Sequence, residues 1–133
     1  MIFKYILPTV LISFCLMATT CLRETDPDAH LFGKTWLHAH EEDSDDIKMY
    51  RPNTYSFPPS RGRTGFSLDA DGTFRLLAIA PTDGLEEHTG KWEMVNKNIM
   101  RITFSENRAE NFQLELLAVT ADLLKVKFLP AAK

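Results

Sequence analysis

The stretch MYRPNTYSFPPSRGRTGFSLDADGTF, residues 49–74, decides how the rest of the chain folds. Its first half holds three prolines, which fix φ and lack a backbone donor, so it cannot be a central strand. Its second half alternates apolar and polar residues around an Asp-Gly pair, which is a strong β-hairpin signal. We therefore predict a proline-stiffened crossing segment that leads into a small antiparallel barrel.

The regular alternation continues from this hairpin to the end of the chain. Strands are predicted over 35–41, 47–51 and, from residue 64 onwards, in six further short runs between turn signals. Evenly spaced short strands are typical of an all-β sandwich or barrel. We predict an all-β, eight-stranded antiparallel barrel whose interior is lined by Phe66, Phe74, Leu76, Trp92, Met94, Ile102, Leu114, Leu116 and Val126. The acidic runs 41–46 and 85–88 are predicted to be loops.

The N-terminus predicts export. A lysine, an apolar run and small residues over residues 1–20 describe a signal peptide. A retained anchor is the alternative, since a spanning helix needs about 20 predominantly apolar residues. The sequence Ala18-Thr19-Thr20-Cys21 resembles the lipobox of bacterial lipoproteins, which implies that Cys21 carries lipid. We accordingly assign 21–31 to the lipidated cysteine and a tether, and 32–133 to the barrel domain.

Composition narrows the class of protein. Removing residues 1–20 from 133 leaves 113 residues, enough for one domain with a core. The formal net charge is -3, and this lack of a basic excess argues against a nucleic-acid partner. Both cysteines, Cys15 and Cys21, lie in the export region, so no disulfide is expected in the domain. If Cys21 is not lipidated, it is a leftover thiol and the protein is secreted.

Short motifs resemble those of the small lipocalin-like domains of bacterial lipoproteins. Lipocalins carry Gly-x-Trp on the first strand; this chain has Gly33-Lys34-Thr35-Trp36 there, one residue longer, and Gly90-Lys91-Trp92 in mid-chain. The second motif follows a hairpin with the sequence Asp71-Gly72-Thr73-Phe74. The resemblance spans roughly residues 31–129 and implies a barrel that binds a small apolar molecule. The segment 51–63 lies outside the general lipocalin pattern.

Two groups of polar residues are candidates for binding. His38 and His40 share one face of the first predicted strand with Trp36. With His88 they would be an incomplete metal-ligand set, so we predict no metal and no cofactor. Three arginines of the crossing segment offer a clamp for a carboxylate or phosphate; the alternative is ion pairing with Glu41, Glu42 or Asp83, which would fix the segment over a barrel end. These arginines are Arg51, Arg61 and Arg63.

The sequence therefore supports two non-enzymatic functions. The first is a membrane-tethered barrel in the cell envelope, facing the periplasm or the exterior, that binds a small apolar or amphipathic ligand. Its predicted ligand contacts are Trp36, His38, His40, Arg51, Arg61, Arg63, Phe74 and Trp92. The second is an interaction module of the envelope, an inhibitor or assembly subunit, with a filled barrel and functional loops. A third hypothesis, an enzyme with a histidine acid or base, lacks a catalytic constellation.

Overall fold

A computed structural model describes residues 29–106 and 110–131 of the chain. The predicted signal peptide and the lipidation of Cys21 lie outside these residues. The described part has eight strands, which close into one antiparallel barrel in the order β1-β2-β8-β7-β6-β5-β4-β3. The predicted all-β, eight-stranded barrel is confirmed. The strands are β1 (Thr35–His38), β2 (Ile47–Pro52), β3 (Gly65–Leu68), β4 (Thr73–Ile79), β5 (Leu85–Met94), β6 (Ile99–Phe104), β7 (Phe112–Val119) and β8 (Leu124–Pro130).

The predicted Asp-Gly hairpin joins β3 to β4. The amide of Gly72 donates to the Asp69 carbonyl at 3.1 Å, and the amide of Asp69 donates to the Thr73 carbonyl at 2.9 Å. Gly72 has φ +98°, a conformation that side chains rarely adopt and glycine adopts freely. The turn residues therefore set the register of this hairpin.

The proline-rich crossing segment, residues 53–64, contains no strand, as predicted. Strand β1 lies between β2 and β3 in the barrel, so the segment must pass across β1 to join two strands that run in the same direction. The amide of Asn53 donates to the Thr35 carbonyl, and the amide of His38 donates to the Thr64 carbonyl, both at 2.9 Å. These bonds hold the two ends of the segment against opposite ends of β1.

Two predicted strands differ from the structure by three residues or more at one end. Strand β1 ends at His38, and a 3-10 helix spans His40–Glu42, so His40 does not share a strand face with His38. The acidic residues 85–88 belong to β5, a continuous ten-residue strand. The turn that precedes them, Asp83-Gly84, joins β4 directly to β5 in a long hairpin, and the predicted loop over 85–88 does not form. Pairing with β4 outweighs the acidic composition of this strand.

A bulge in β7 changes which residues face inward. Register shifts between Leu116, which pairs with Val126, and Ala118, which pairs with Lys125. Strict alternation from Leu114 and Leu116 would place Ala118 inward, but after the bulge Val119 takes this position and packs against the core. Leu117 is the extra residue and is 44% exposed, because a bulge adds one residue to one strand only.

The core lies inside the barrel, and Gly65 allows a close backbone approach beside it. A Cβ added at Gly65 would overlap the carbonyl oxygen of Trp36 on β1, so β3 can lie this close to β1 only with glycine at this position. The core consists of eleven buried side chains: Leu31, Trp36, Tyr50, Phe66, Leu68, Phe74, Met100, Ile102, Leu114, Leu124 and Val126.

Candidate functional site

One end of the barrel is closed by the residues before β1. Leu31 is buried, and its carbonyl accepts a hydrogen bond of 3.1 Å from Trp36 Nε1. Phe32 stacks on Trp92 with 5.3 Å between ring centroids, and Trp92 Nε1 donates to the Asp69 carbonyl at 2.8 Å. Leu31, the last residue that we assigned to the tether, is thus part of the packed fold.

The barrel interior is filled. Each of the eleven core side chains is 5% exposed or less, and Trp36 and Phe74, two of the predicted ligand contacts, are fully buried. A void large enough for water would leave accessible surface on the side chains that line it. An apolar ligand among these residues would therefore have to displace core side chains.

The opposite end of the barrel carries inward-facing polar side chains. His38 pairs across the strands with Tyr50, and the two rings stack at 5.2 Å. Asp43 lies above them and accepts hydrogen bonds from Lys48 Nζ at 3.1 Å and from the Met49 amide at 3.0 Å. His38 Nε2 lies 2.9 Å from the same carboxylate. The carboxylate thus joins β1, β2 and the loop between them.

The ionisation of this cluster follows from its contacts. Burial disfavours the charged form of Asp43, but hydrogen bonds from Met49, Lys48 and His38 outweigh burial and lower the pKa of its carboxyl group. Burial raises the pKa of the Tyr50 hydroxyl, and the negative charge of Asp43 raises it further. At neutral pH the cluster therefore holds a carboxylate over a neutral phenol.

The remaining wall of this open end is largely aromatic. Phe112 lies 5.3 Å from Phe128 and 6.1 Å from Phe104, measured between ring centroids. Phe128 is 41% exposed, although its cross-strand partner Leu114 is fully buried. Solvent therefore reaches an apolar rim at this end. On β5, His88 Nε2 lies 2.9 Å from Glu86.

Two of the three predicted arginines, Arg51 on β2 and Arg63 in the crossing segment, are held by ion pairs. Arg51 donates from Nε and Nη2 to Glu42 at 2.9 and 2.6 Å. Arg63 donates from Nη1 and Nη2 to Glu41 at 2.9 and 2.6 Å. The hydrogen bonds from Arg63 lower the pKa of Glu41 to about 2. Such bidentate pairs fix a planar guanidinium in one orientation.

Further contacts make these pairs part of the fold. Arg63 also donates to the backbone carbonyls of His38 and Pro58, at 3.0 and 2.8 Å, and its guanidinium lies 4.5 Å from the Phe57 ring centroid. Arg51 lies 4.8 Å from the Tyr55 ring centroid. The predicted alternative of ion pairing with Glu41 and Glu42 therefore describes both arginines, and the crossing segment is fixed to the 3-10 helix beside β1.

Arg61 differs from these two. Of the five arginines within residues 29–106 and 110–131, Arg51, Arg63, Arg75 and Arg101 each form an ion pair. Arg61 forms none with a described residue. It lines a groove of about 370 Å³, together with Gly62 of the crossing segment and the tip of the β4–β5 hairpin. We call this the hairpin groove; the tip contributes Ile79, Asp83, Gly84 and Leu85.

The predicted ligand contacts do not form one site. Trp36 and Phe74 lie in the filled interior. Trp92 lies at the closed end, against Phe32. His38 faces the open end, whereas His40 is exposed on the 3-10 helix, 3.6 Å from Glu41. The three arginines lie outside the barrel wall, two in ion pairs and one in the hairpin groove.

Sequence reasoning did not single out the apolar residues of the hairpin groove. Ile79 is 59% exposed and Leu85 is 48% exposed, and they are cross-strand partners beside the turn. The available signal was two large aliphatic residues on either side of Ala-Pro-Thr-Asp-Gly, because residues opposite each other beside a turn share one face of a hairpin.

The described residues contain no group of three or more His, Cys, Asp or Glu side chains placed to hold a metal ion. Within the same part of the chain, no helix is both long and apolar enough to cross a membrane. Comparison with family models, with curated proteins and with solved structures found no match to this chain. The lipocalin-like resemblance therefore stays a prediction.

Proposed function

We propose that this chain is a non-enzymatic interaction module of the cell envelope, anchored by lipid on Cys21 and facing the periplasm or the exterior. One observation carries the proposal: each of the eleven core side chains of the barrel is 5% exposed or less. A filled barrel is a rigid scaffold, and its function then depends on what the outer surface and loops present.

The crossing segment supports this function. The ion pairs of Arg51 and Arg63 fix the segment at a cost in conformational freedom, whereas Arg61 lines the hairpin groove together with two exposed aliphatic residues. Arginine is enriched at protein interfaces, and the buried centre of an interface is more apolar than the rest of the surface. We propose the hairpin groove as the contact surface for a protein partner.

The test is affinity capture from envelope extracts with the lipid-free chain, residues 22–133. We expect Leu85→Asp to lose a partner that the wild-type chain retains. Leu117→Asp is the matched control, because Leu117 has a similar exposed fraction, 44%, but lies on β7. Equal capture by both variants would exclude the groove as the contact.

A Cys21→Ser variant of the full chain tests the lipid anchor. We expect this variant to be lost from the membrane fraction.

The second candidate is binding of a small amphipathic ligand at the open end. The exposed inward face of Phe128, in the same rim as the polar His38 and Lys48, favours it. Native mass spectrometry of residues 22–133 separates the two functions. A bare mass after incubation with fatty acids and phospholipids supports the interaction module. An extra mass lost on denaturation supports the ligand carrier.

A further inference from the structure

The hairpin groove contains a sheet edge without a neighbouring strand. Strand β3 begins at Gly65, which pairs with Leu77, so Ala78 and Ile79 extend beyond the last β3 partner. On the other side they pair with β5. Gly62 passes nearby, and a Cβ added to it would lie 3.8 Å from Leu85. Unpaired edges of this kind are places where another chain can add.

The floor of the groove is apolar. Ile79 and Leu85 lie directly opposite each other on the outward face of the hairpin, and both are about half exposed. Burial of such side chains by a partner is favourable because it removes apolar surface from water. Contact between this pair and an aliphatic surface of a partner therefore favours association.

The two charges of the groove have opposite signs and are unused. Arg61 and Asp83 both line it, and neither forms an ion pair with the other or with any other residue in the part of the chain that the structure describes. Asp83 has φ +68°, which aspartate tolerates better than most residues. A surface with an apolar pair and one charge of each sign offers a second copy of itself an apolar contact and opposite charges across a twofold axis.

We propose that the hairpin groove binds a second copy of this chain. In a twofold dimer the Ile79–Leu85 pairs of the two copies pack together, and Arg61 of each copy faces Asp83 of the other. A twofold interface buries the same patch on both copies, so each copy contributes the same apolar pair and the same two charges. This inference rests on the proposed interaction function and names its partner.

Sedimentation equilibrium of residues 22–133 tests the dimer, because the described residues, 29–106 and 110–131, hold a closed barrel with its own core. We expect the weight-average mass to rise towards twice the monomer mass with concentration. Arg61→Glu and Asp83→Lys each place like charges together and should weaken association about tenfold. The double variant Arg61→Glu/Asp83→Lys restores opposite charges and should recover most of the lost affinity.

Two results would overturn the dimer. One is a constant monomer mass of the wild-type chain at every concentration. The other is a double variant that associates no better than the single variants, which would mean that the two charges do not meet. Asp83→Asn is the second variant at this position, since asparagine keeps the left-handed backbone; unchanged affinity with it would also count against the pairing.

The outcome separates this inference from the proposed function. If the chain stays monomeric while Leu85→Asp loses an envelope partner, the dimer is excluded and the interaction module stands. If the chain dimerises through the charge pair and captures nothing else, the second copy is the partner. Each variant is first checked by thermal melting, so that a loss of association is not a loss of folding.

Discussion

Truncation of Phe74 tests whether the barrel is filled. Phe74 is fully buried and stacks on Phe66 with 5.5 Å between ring centroids, while Phe104 and Phe112 lie edge-on at 6.0 Å. Phe74→Ala removes a buried side chain worth about 1.5–3 kcal/mol of transfer free energy. It also leaves a cavity on the order of 100 Å³, at about 24 cal/mol per Å³. We expect the free energy of unfolding to fall by about 3–5 kcal/mol.

Urea denaturation of residues 22–133, followed by tryptophan fluorescence, measures this loss. With an m-value of about 1–3 kcal/mol per molar, the midpoint should fall by roughly 2 M. Phe128→Ala is the matched control: it lies on the same inward face but is 41% exposed, and it should cost less than half as much. A loss below about 1 kcal/mol for Phe74→Ala would refute the filled interior, because a side chain that lines an open cavity leaves no new void.

Three further predictions concern the crossing segment and the barrel wall. Arg63→Ala should lower the melting temperature by about 4–8 °C, whereas Arg61→Ala should change it little; equal shifts would contradict the distinction between the two arginines. The pKa of Glu41 is lowered from 4.5 to about 2, so its pairing stabilises the fold fully above pH 4.5 and is lost as the pH falls towards 2. The melting temperature of Glu41→Gln should therefore depend less steeply on pH over that window than the melting temperature of the wild-type chain. High salt should reduce the difference between the two proteins. Gly65→Ala forces a Cβ against a backbone carbonyl of β1 and should cost about 3 kcal/mol or more, while Gly84→Ala, which has open space, should not; similar urea midpoints for the two variants would contradict the close approach.

Much of the barrel was predictable because local signals and core packing agree. The Asp-Gly turn at 71–72, the alternation that places Phe74 inward and the prolines of the crossing segment each indicate the structure that forms. Turn chemistry and side-chain period are local properties, and a sequence read alone contains them. The prediction of a loop over residues 85–88 was wrong, because pairing with β4 outweighs the acidic composition at the start of β5.

The roles of the three arginines show the limit of this approach. Arg51, Arg61 and Arg63 have the same side chain, and no local sequence pattern indicates which of them forms an ion pair. Only the closed barrel brings Glu41 and Glu42 within 3 Å of two guanidinium groups and leaves the third beside the hairpin tip. These contacts depend on the path of the segment over β1, which is set by pairing between distant strands.

The sequence by itself determined the class of this fold, the position of its central hairpin and the rigidity of its crossing segment, because turns, prolines and a period of two act over a few residues. The tertiary structure decided that the interior is filled, that β7 bulges at Leu117 and that Ile79 and Leu85 remain exposed. Those properties depend on how side chains from distant strands share one volume, and packing of that kind is settled only when the barrel closes.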